Sequence, residues 1–314
     1  MGRSRRQDLV ELARQKRLLY LRQLARDYRH LALRLRDAYQ VFLRELDNAA
    51  GVDIDVDKVR DSYLVFLDTL SDIAPQVQKL GVQAGVQNGV SWLDTLSGVD
   101  VRWSQMTVEA IESTLSYLDK LPNVVNKFES YHMQQVQSII LAAQNEGINP
   151  RQVALMIKDY FTKSQNPLAD AERFTRTLQI YSARQGARAI YERNGVEQWI
   201  WSANIGSRRT CMACIVRHGT VHPITEVLND HFNGRCSAIP VIKNAQLSYQ
   251  FEDGISWFMR QDEDTQRYFL GAKFHDAWQQ GKIRVDQSLV GTYQNTLFGQ
   301  MIRRKTLGEL LNNE

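Results

Sequence analysis

The residue types that bind metals are concentrated in one short stretch of this sequence. All three cysteines and three of the six histidines lie between residues 211 and 236. Cys211 and Cys214 have the C-x-x-C spacing that lets one turn present two thiolates, and His231 and Cys236 supply a second pair from a later turn. Three thiolates and one imidazole form a standard tetrahedral zinc site, and thiolates favour Zn²⁺ over Mg²⁺ or Ca²⁺. The sequence therefore predicts one bound zinc ion.

The predicted zinc site is closed to substrate. If all four residues bind, no coordination position is left for water or substrate, which favours a structural zinc over a catalytic one. The H-x-E signature of zinc deaminases does not occur in the sequence, nor does the H-E-x-x-H helix of metalloproteases. Glu226 and the isolated His275 are the remaining acid–base candidates. We therefore expect no enzymatic activity and assign no catalytic residue.

Two further histidines lie in the same loop. His218 and His222 are four residues apart, but Gly219 and Pro223 argue against a helix that would place both on one face. We interpret both histidines as surface residues. The alternative, in which one of them replaces His231 as a zinc ligand, stays open, as does a metal-free loop with reduced thiols.

The first half of the chain has the apolar periodicity of long helices. From Gln7 to Ala50 there is no Gly or Pro, and the apolar residues from Leu21 to Phe42 recur at alternating steps of three and four. That seam is typical of a helix packed along another helix. The further predicted helices are Val59 to Ile73 ended by Pro75, a segment with the glycine stripe Gly81, Gly85 and Gly89, Val108 to Leu118 before Pro122, and Val125 to Ala143 closed by Gly147.

The second half predicts helices first and strands later. Asn149 can cap a short helix that Pro150 begins, and a long helix follows over residues 168–193. The β-prone segments Gln198–Ser202 and Ala238–Ile242 flank the cysteine loop, and helical patterning returns up to an amphipathic tail.

The predicted fold is mostly α. A long helical region over residues 1–146 docks a partner, and residues 147–314 form an α+β module with a zinc-clipped loop between short strands and a helical tail.

Charge is concentrated at the N-terminus. The 314 residues carry a formal charge of +4, but residues 1–50 hold twelve Arg and Lys against six Asp and Glu, a net +6. This indicates an acidic partner such as nucleic acid or an acidic protein surface, with a merely solvated helix face as the alternative. No apolar run approaches the roughly 18 residues of a membrane helix. Gln7, Asp8 and Glu11 stand where a signal peptide needs an apolar core, so we expect a cytoplasmic product.

Several motifs together resemble one protein family. They are the run Trp199-Ile200-Trp201-Ser202-Ala203, then Arg209-Thr210-Cys211 with Cys214, then His218-Gly219, and finally His231, Asn233, Arg235 and Cys236 ahead of Ile239-Pro240-Val241. This combination resembles the phage head-morphogenesis proteins, the minor head proteins similar to protein F of phage Mu. The resemblance covers roughly residues 147–311. Ser207 stands where the family often has an acid, and Gly234 where it often has a cysteine; the second departure still leaves four ligands.

The resemblance implies a minor capsid protein that associates with the portal vertex during head assembly. It would be a low-copy virion component in the head interior or at the portal, present in the host cytoplasm during assembly. Its implied main partner is the portal protein, with major capsid or scaffold proteins and packaged double-stranded DNA as further candidates. Two alternatives remain: a zinc-dependent enzyme or nuclease-like toxin effector built on this module, and a zinc nucleic-acid-binding module.

Overall fold

The computed structural model of this chain describes residues 2–49, 56–97, 103–164, 166–242 and 252–312, with side chains from Glu11 onward. It is mostly helical, and a long helical region precedes a region with a small sheet and a Cys/His cluster. The helices are α1 (Gly2–Ala49), α2 (Val56–Ser97), α3 (Val108–Glu112), α4 (Leu121–Asn145), α5 (Pro150–Asp159), α6 (Pro167–Arg193), α7 (Met212–Arg217), α8 (Gly254–Met259), α9 (Glu263–Leu270), α10 (Ala272–Gln279) and α11 (Leu307–Leu311). The strands are β1 (Gln198–Ser202), β2 (Val221–Pro223), β3 (Ser237–Val241), β4 (Val290–Asn295) and β5 (Gly299–Arg304).

The predicted apolar seam of α1 is buried against α2. Leu31 and Leu35 are fully buried, and Phe42 is 1% exposed. Their partners on α2 include Tyr63 and Phe66, which join the same apolar core. Burying one such side chain stabilises the fold by about 1.5–3 kcal/mol, so this seam is a major source of stability.

Pro75 does not end a helix, contrary to the prediction. It lies inside α2, which joins the predicted second and third helices into one element of 42 residues. A proline in a helix interior removes one backbone hydrogen bond and costs about 3 kcal/mol. Ile73, Ala74 and Val77 around it are fully buried, so apolar burial outweighs that local cost.

The glycine stripe of α2 lets α6 approach at backbone distance. A Cβ atom on Gly85 would overlap the backbone carbonyl of Ala183, and one on Gly81 would overlap that of Gln179. Gly186 on α6 meets the backbone of Val82 in the same way. Glycine is required here by close packing of two helices, since neither backbone can yield.

The predicted helix from Val108 to Leu118 is shorter than expected. α3 ends at Glu112, where the hydroxyls of Ser113 and Thr114 donate to the carbonyls of Ala110 and Ile111 (2.8 and 2.7 Å). Such side-chain bonds compete with continuation of a helix. Pro122 then lies in the first turn of α4, while the predicted Asn149 cap and Pro150 start of α5 are confirmed.

The small sheet has the order β2-β1-β3, with β1 antiparallel to both neighbours. Trp199 pairs with His222 on one side and with Pro240 on the other. The two predicted strands are confirmed, and β2 is an additional three-residue strand. β1 is therefore the central strand of the sheet that flanks the cysteines.

The tail contains a hairpin that the sequence analysis did not predict. β4 and β5 pair antiparallel, and the Asn295 side chain accepts the backbone N–H groups of Leu297 and Phe298 in the turn (2.9 and 3.0 Å). Leu297 and Phe298 enter the main apolar core, and the Phe298 ring lies 4.8 Å from that of Tyr181. The tail is therefore helices plus a hairpin rather than helices alone. The division into two domains at residue 147 stays a prediction.

None of the helices in the described ranges combines the length and the apolar character needed to cross a membrane.

Candidate metal centre

Cys211 and Cys214 are held by the short helix α7. Cys211 is the N-cap of that helix, and its Sγ accepts a hydrogen bond from the backbone N–H of Cys214 at 3.4 Å. Cys214 is buried within the helix, and Cys211 is partly exposed. The C-x-x-C spacing thus brings two sulfurs to one turn, as the sequence analysis expected.

The turn between β2 and β3 supplies the second half of the cluster. Ligand atoms of Cys211, Cys214 and His231 lie within 4.8 Å of one another, and so do those of Cys214, Asp230 and Cys236. The two groups share Cys214. Zinc–sulfur bonds of about 2.3 Å place tetrahedral ligands about 3.8 Å apart, so the ligand atoms within each group would have to move closer together to bind one ion. The structure therefore brings the four predicted ligands together, and adds Asp230.

Contacts within the cluster shift the pKa values of two cysteines and of His231. The hydrogen bond with Cys214 is the largest cause that lowers the pKa of the Cys211 thiol, to about 4, and His231 lowers that pKa further. The same contact is the main cause that raises the pKa of Cys214. The hydrogen bond with Cys211 likewise raises the pKa of His231 to about 10. These groups hold a thiolate beside an imidazolium, and a divalent cation would replace the protons on Cys214 and His231.

The tautomer of His231 suits metal binding. Its Nδ1 lies 3.0 Å from the backbone carbonyl of Phe232, which can only accept a hydrogen bond. Nδ1 therefore carries a proton, and the lone pair of the neutral ring is on Nε2. A backbone acceptor for the second ring nitrogen is the usual arrangement of a metal-binding histidine.

Asp230 braces the cluster and was missed in the sequence analysis. It is fully buried, and both carboxylate oxygens accept hydrogen bonds from the Arg184 guanidinium at 2.7 Å. One of them also accepts the backbone N–H of Cys236 at 3.1 Å. These three hydrogen bonds make Asp230 a support of the loop that carries Cys236, and one of its oxygens also lies within ligand distance of Cys214 and Cys236.

Arg184 on α6 forms hydrogen bonds to the same loop. Besides Asp230, it donates to the backbone carbonyl of Cys236 at 2.8 Å. Burial alone would lower the pKa of Arg184, but the Asp230 carboxylate raises it above its ordinary value, so the pair is ionic. A Cβ on Gly234 would overlap the Asp230 carboxylate, which gives a physical reason for glycine there. No local spacing signals this pair, because its members lie 46 positions apart.

The interpretation of His218 and His222 as surface residues is wrong. Each is only 5% exposed. His218 accepts the backbone N–H of Ala203 through Nδ1 at 2.9 Å, and burial lowers its pKa to about 4. His222 stacks on Trp199, with ring centroids 4.4 Å apart, and bonds Thr220. Both histidines are structural: His222 is covered by sheet pairing and the Trp199 ring, and His218 is buried at the end of α7, next to Gly254.

Glu226 and His275 do not join the cluster found among the described residues. The Glu226 carboxylate lies 3.0 Å from His222 Nδ1 and is not part of the cluster. His275 is 1% exposed and packs edge-on against Trp278. Neither group is positioned beside the cysteines.

Arg17 of α1 is a further buried charge near the cluster. It is 7% exposed, and its guanidinium donates to the Ser202 hydroxyl at the end of β1 and to Ser237 Oγ at the start of β3. Burial lowers its pKa, and Cys236 opposes that effect. One of the basic residues of the N-terminal segment therefore binds the sheet instead of facing a partner.

No protein-family model matches this chain, and neither does any curated protein sequence or solved structure.

Proposed function

We propose that this chain is a minor capsid protein of the head-morphogenesis type, which joins the portal vertex while a phage head assembles. The observation that carries the proposal is the combined motif from Trp199 to Val241, with its two cysteines, histidine and third cysteine in family order. Support comes from the local structure, because that motif forms a single unit of β1, α7 and β3 around the Cys/His cluster.

We further propose that the cluster holds one structural Zn²⁺ through Cys211, Cys214, His231 and Cys236. The donor set fits in chemical type, since three soft sulfurs and a correctly oriented imidazole belong to two adjoining groups that share Cys214. A bound zinc ion would cross-link the α7 turn to the loop before β3. The chain itself orients these ligands, through the N–H of Cys214 and through Asp230 and Arg184.

The role in this proposal is assembly rather than turnover. Four protein ligands would saturate zinc, and the acid–base candidates Glu226 and His275 lie elsewhere. Metal-loaded protein should therefore leave DNA, peptide and cell-wall polymer uncut. A robust activity that Glu226→Gln or His275→Gln abolishes would favour the zinc-enzyme or toxin-effector alternative.

The proposed partners are the portal protein first, then capsid or scaffold proteins and double-stranded DNA. The charge of α1 supports an acidic partner surface, since Arg22, Arg26 and Arg29 are exposed to solvent. In the proposal the protein resides in the head interior or at the portal, and in the host cytoplasm before assembly.

The test is co-expression of the full chain with the portal protein encoded in the same genome, followed by size-exclusion chromatography and by mass spectrometry of mature particles. The proposal expects a stable complex and a low copy number in particles. Replacing Arg22, Arg26 and Arg29 with Gln should weaken the complex most at low salt, because salt screens exposed charges over about 10 Å at 0.1 M. Absence from both complex and particles would refute the assembly role.

A further inference from the structure

A long groove runs between α1 and α6, with the loop before β3 at one side. Its volume is about 700 Å³. Apolar side chains form the floor, among them Leu24 and Ile180, which are 3% and 8% exposed. Leu33 stands at the rim and is 49% exposed. The apolar surface that the described part of the chain leaves uncovered is that of Leu33 and Ala25, which are exposed, and of Leu21, which is partly exposed.

Positive charge lines the same groove. Its walls hold four arginines and one glutamate: Arg29, Arg36, Arg176, Arg235 and Glu172. The glutamate is already paired, with Arg36 at 2.6 Å and with Arg176 at 3.9 Å. The four guanidinium groups outnumber this single carboxylate, so like charges lie near one another along the walls and repel. An anionic occupant would relieve that repulsion.

We propose that this groove binds an acidic amphipathic helix of a partner protein. Such a helix lays apolar residues at i, i+3, i+4 and i+7 on the floor and presents carboxylates to the arginines on the walls. The lining of α1 extends from Leu21 to Arg36. At 1.5 Å per residue this is about 23 Å, so the bound helix has about 15 residues.

A nucleic-acid backbone fits the groove less well. Phosphates gain affinity from cationic contacts but nothing from an apolar floor. The combination of an apolar floor and basic walls favours a ligand that has both apolar side chains and carboxylates. The inference depends on this groove alone and not on the proposed role in head assembly.

The test uses the full-length chain and a fluorescein-labelled helical peptide of about 15 residues, with leucines on one face and glutamates beside them. Fluorescence anisotropy should show saturable binding at about 0.1 M salt. A scrambled peptide of equal composition is the ligand control. It keeps the charge but loses the apolar face, so it should bind at least about tenfold more weakly.

Matched variants separate the contribution of the groove's positive charge from that of its apolar surface. The triple variant Arg29→Gln, Arg176→Gln and Arg235→Gln should weaken peptide binding about tenfold. The control triple Arg44→Gln, Arg151→Gln and Arg284→Gln removes the same charge from exposed sites outside the groove and should change binding less than about twofold. Leu33→Ser should weaken it about fivefold with no change in charge.

Three results would overturn the proposal. The first is no peptide binding up to about 100 µM protein, and the second is equal binding of the scrambled peptide. The third is tighter binding of a short DNA duplex in which the arginine variant loses affinity while Leu33→Ser does not, which would assign the groove to nucleic acid. If the triple arginine variant does not fold, the exposed Leu33→Ser and Ala25→Glu still decide the question, because each should weaken peptide binding on a folded chain.

Discussion

The helical region and the cysteine-bearing segment are held together by different forces. α1, α2 and α6 associate through a continuous apolar core and a glycine stripe that brings two backbones into contact. The segment over residues 198–242 has strands of five residues or fewer, and its centre is a Cys/His cluster beside a buried ion pair. The first region is held by one extended apolar core, whereas the second combines smaller apolar clusters with the Cys/His cluster and the Arg184–Asp230 ion pair.

This difference predicts how each region fails. Apolar packing is spread over dozens of side chains, so one deletion in the helical region lowers stability without changing its chemistry. The cysteine segment has only small apolar clusters, so the Arg184–Asp230 ion pair and, in the proposal, the bound zinc should contribute a large share of its stability. The following experiments measure that contrast from the largest expected effect to the smallest.

Removing a metal ligand should have the largest effect and should be confined to one region. Structural zinc contributes about 10–16 kcal/mol of apparent binding free energy in small zinc modules. Cys236→Ser should lose zinc in elemental analysis and increase hydrogen exchange over residues 199–242. The helices α1 and α2 should keep their protection, because their core does not include the cluster.

His222→Gln is the matched control for metal binding, since His222 lies outside the cluster. This variant should keep one zinc per chain. Two results would contradict the ligand assignment. One is a zinc content near zero in native protein purified without chelator. The other is retention of zinc by His231→Ala together with its loss from a His218 variant.

Neutralising Asp230 tests the buried ion pair. Asp230→Asn leaves the Arg184 guanidinium buried beside an uncharged group, which costs about 3–5 kcal/mol when one partner of such a pair is removed. Urea unfolding should show this loss, and zinc affinity should fall because Cys236 loses its brace. Asp68→Asn, at an exposed site, should change stability by less than about 0.5 kcal/mol. Equal stability of the two variants would remove the proposed support.

Adding one methyl group tests the close helix contact. Gly85→Ala improves intrinsic helix propensity by about 1 kcal/mol, yet its Cβ would overlap the carbonyl of Ala183. Overpacking of this kind costs about 1–3 kcal/mol, so we expect a net decrease in the free energy of unfolding. Gly308→Ala, where the Cβ meets open space, should be neutral or stabilising. A stabilised Gly85→Ala would show that α2 and α6 separate readily.

The smallest expected effect is a pH dependence within the helical region. Burial lowers the pKa of His132 to about 4, and its Nδ1 bonds Tyr160 Oη at 2.8 Å. An unfolded chain with a pKa near 6.5 takes up this proton first, so the contribution is complete above about pH 6.5 and is lost as the pH falls toward 4. Urea unfolding at several pH values should show a loss in the free energy of unfolding on the order of 1 kcal/mol. The loss should shrink in His132→Gln, which leaves the titration of the metal cluster in place; equal slopes in both proteins would contradict the assignment.

Local signals predicted much of this structure. Residues close together in sequence determine the helix faces, the cap at Asn149, the helix start at Pro150 and the strands that flank the cysteine loop. The same is true of Cys211 and Cys214, whose three-residue spacing already places both sulfurs on one turn. Their role as zinc ligands remains a prediction.

Only the tertiary structure decided the rest, because the deciding contacts join distant parts of the chain. Pro75 stays helical because buried neighbours compensate for its lost hydrogen bond. Arg17 meets Ser202 across 185 positions, and Arg184 meets Asp230 across 46, so no spacing rule could reveal either pair. The burial of His222 follows from sheet pairing and ring stacking, and that of His218 from its contacts with Ala203 and Gly254. Sequence thus determined which atoms could bind a metal, while long-range packing determined which charges and rings support them.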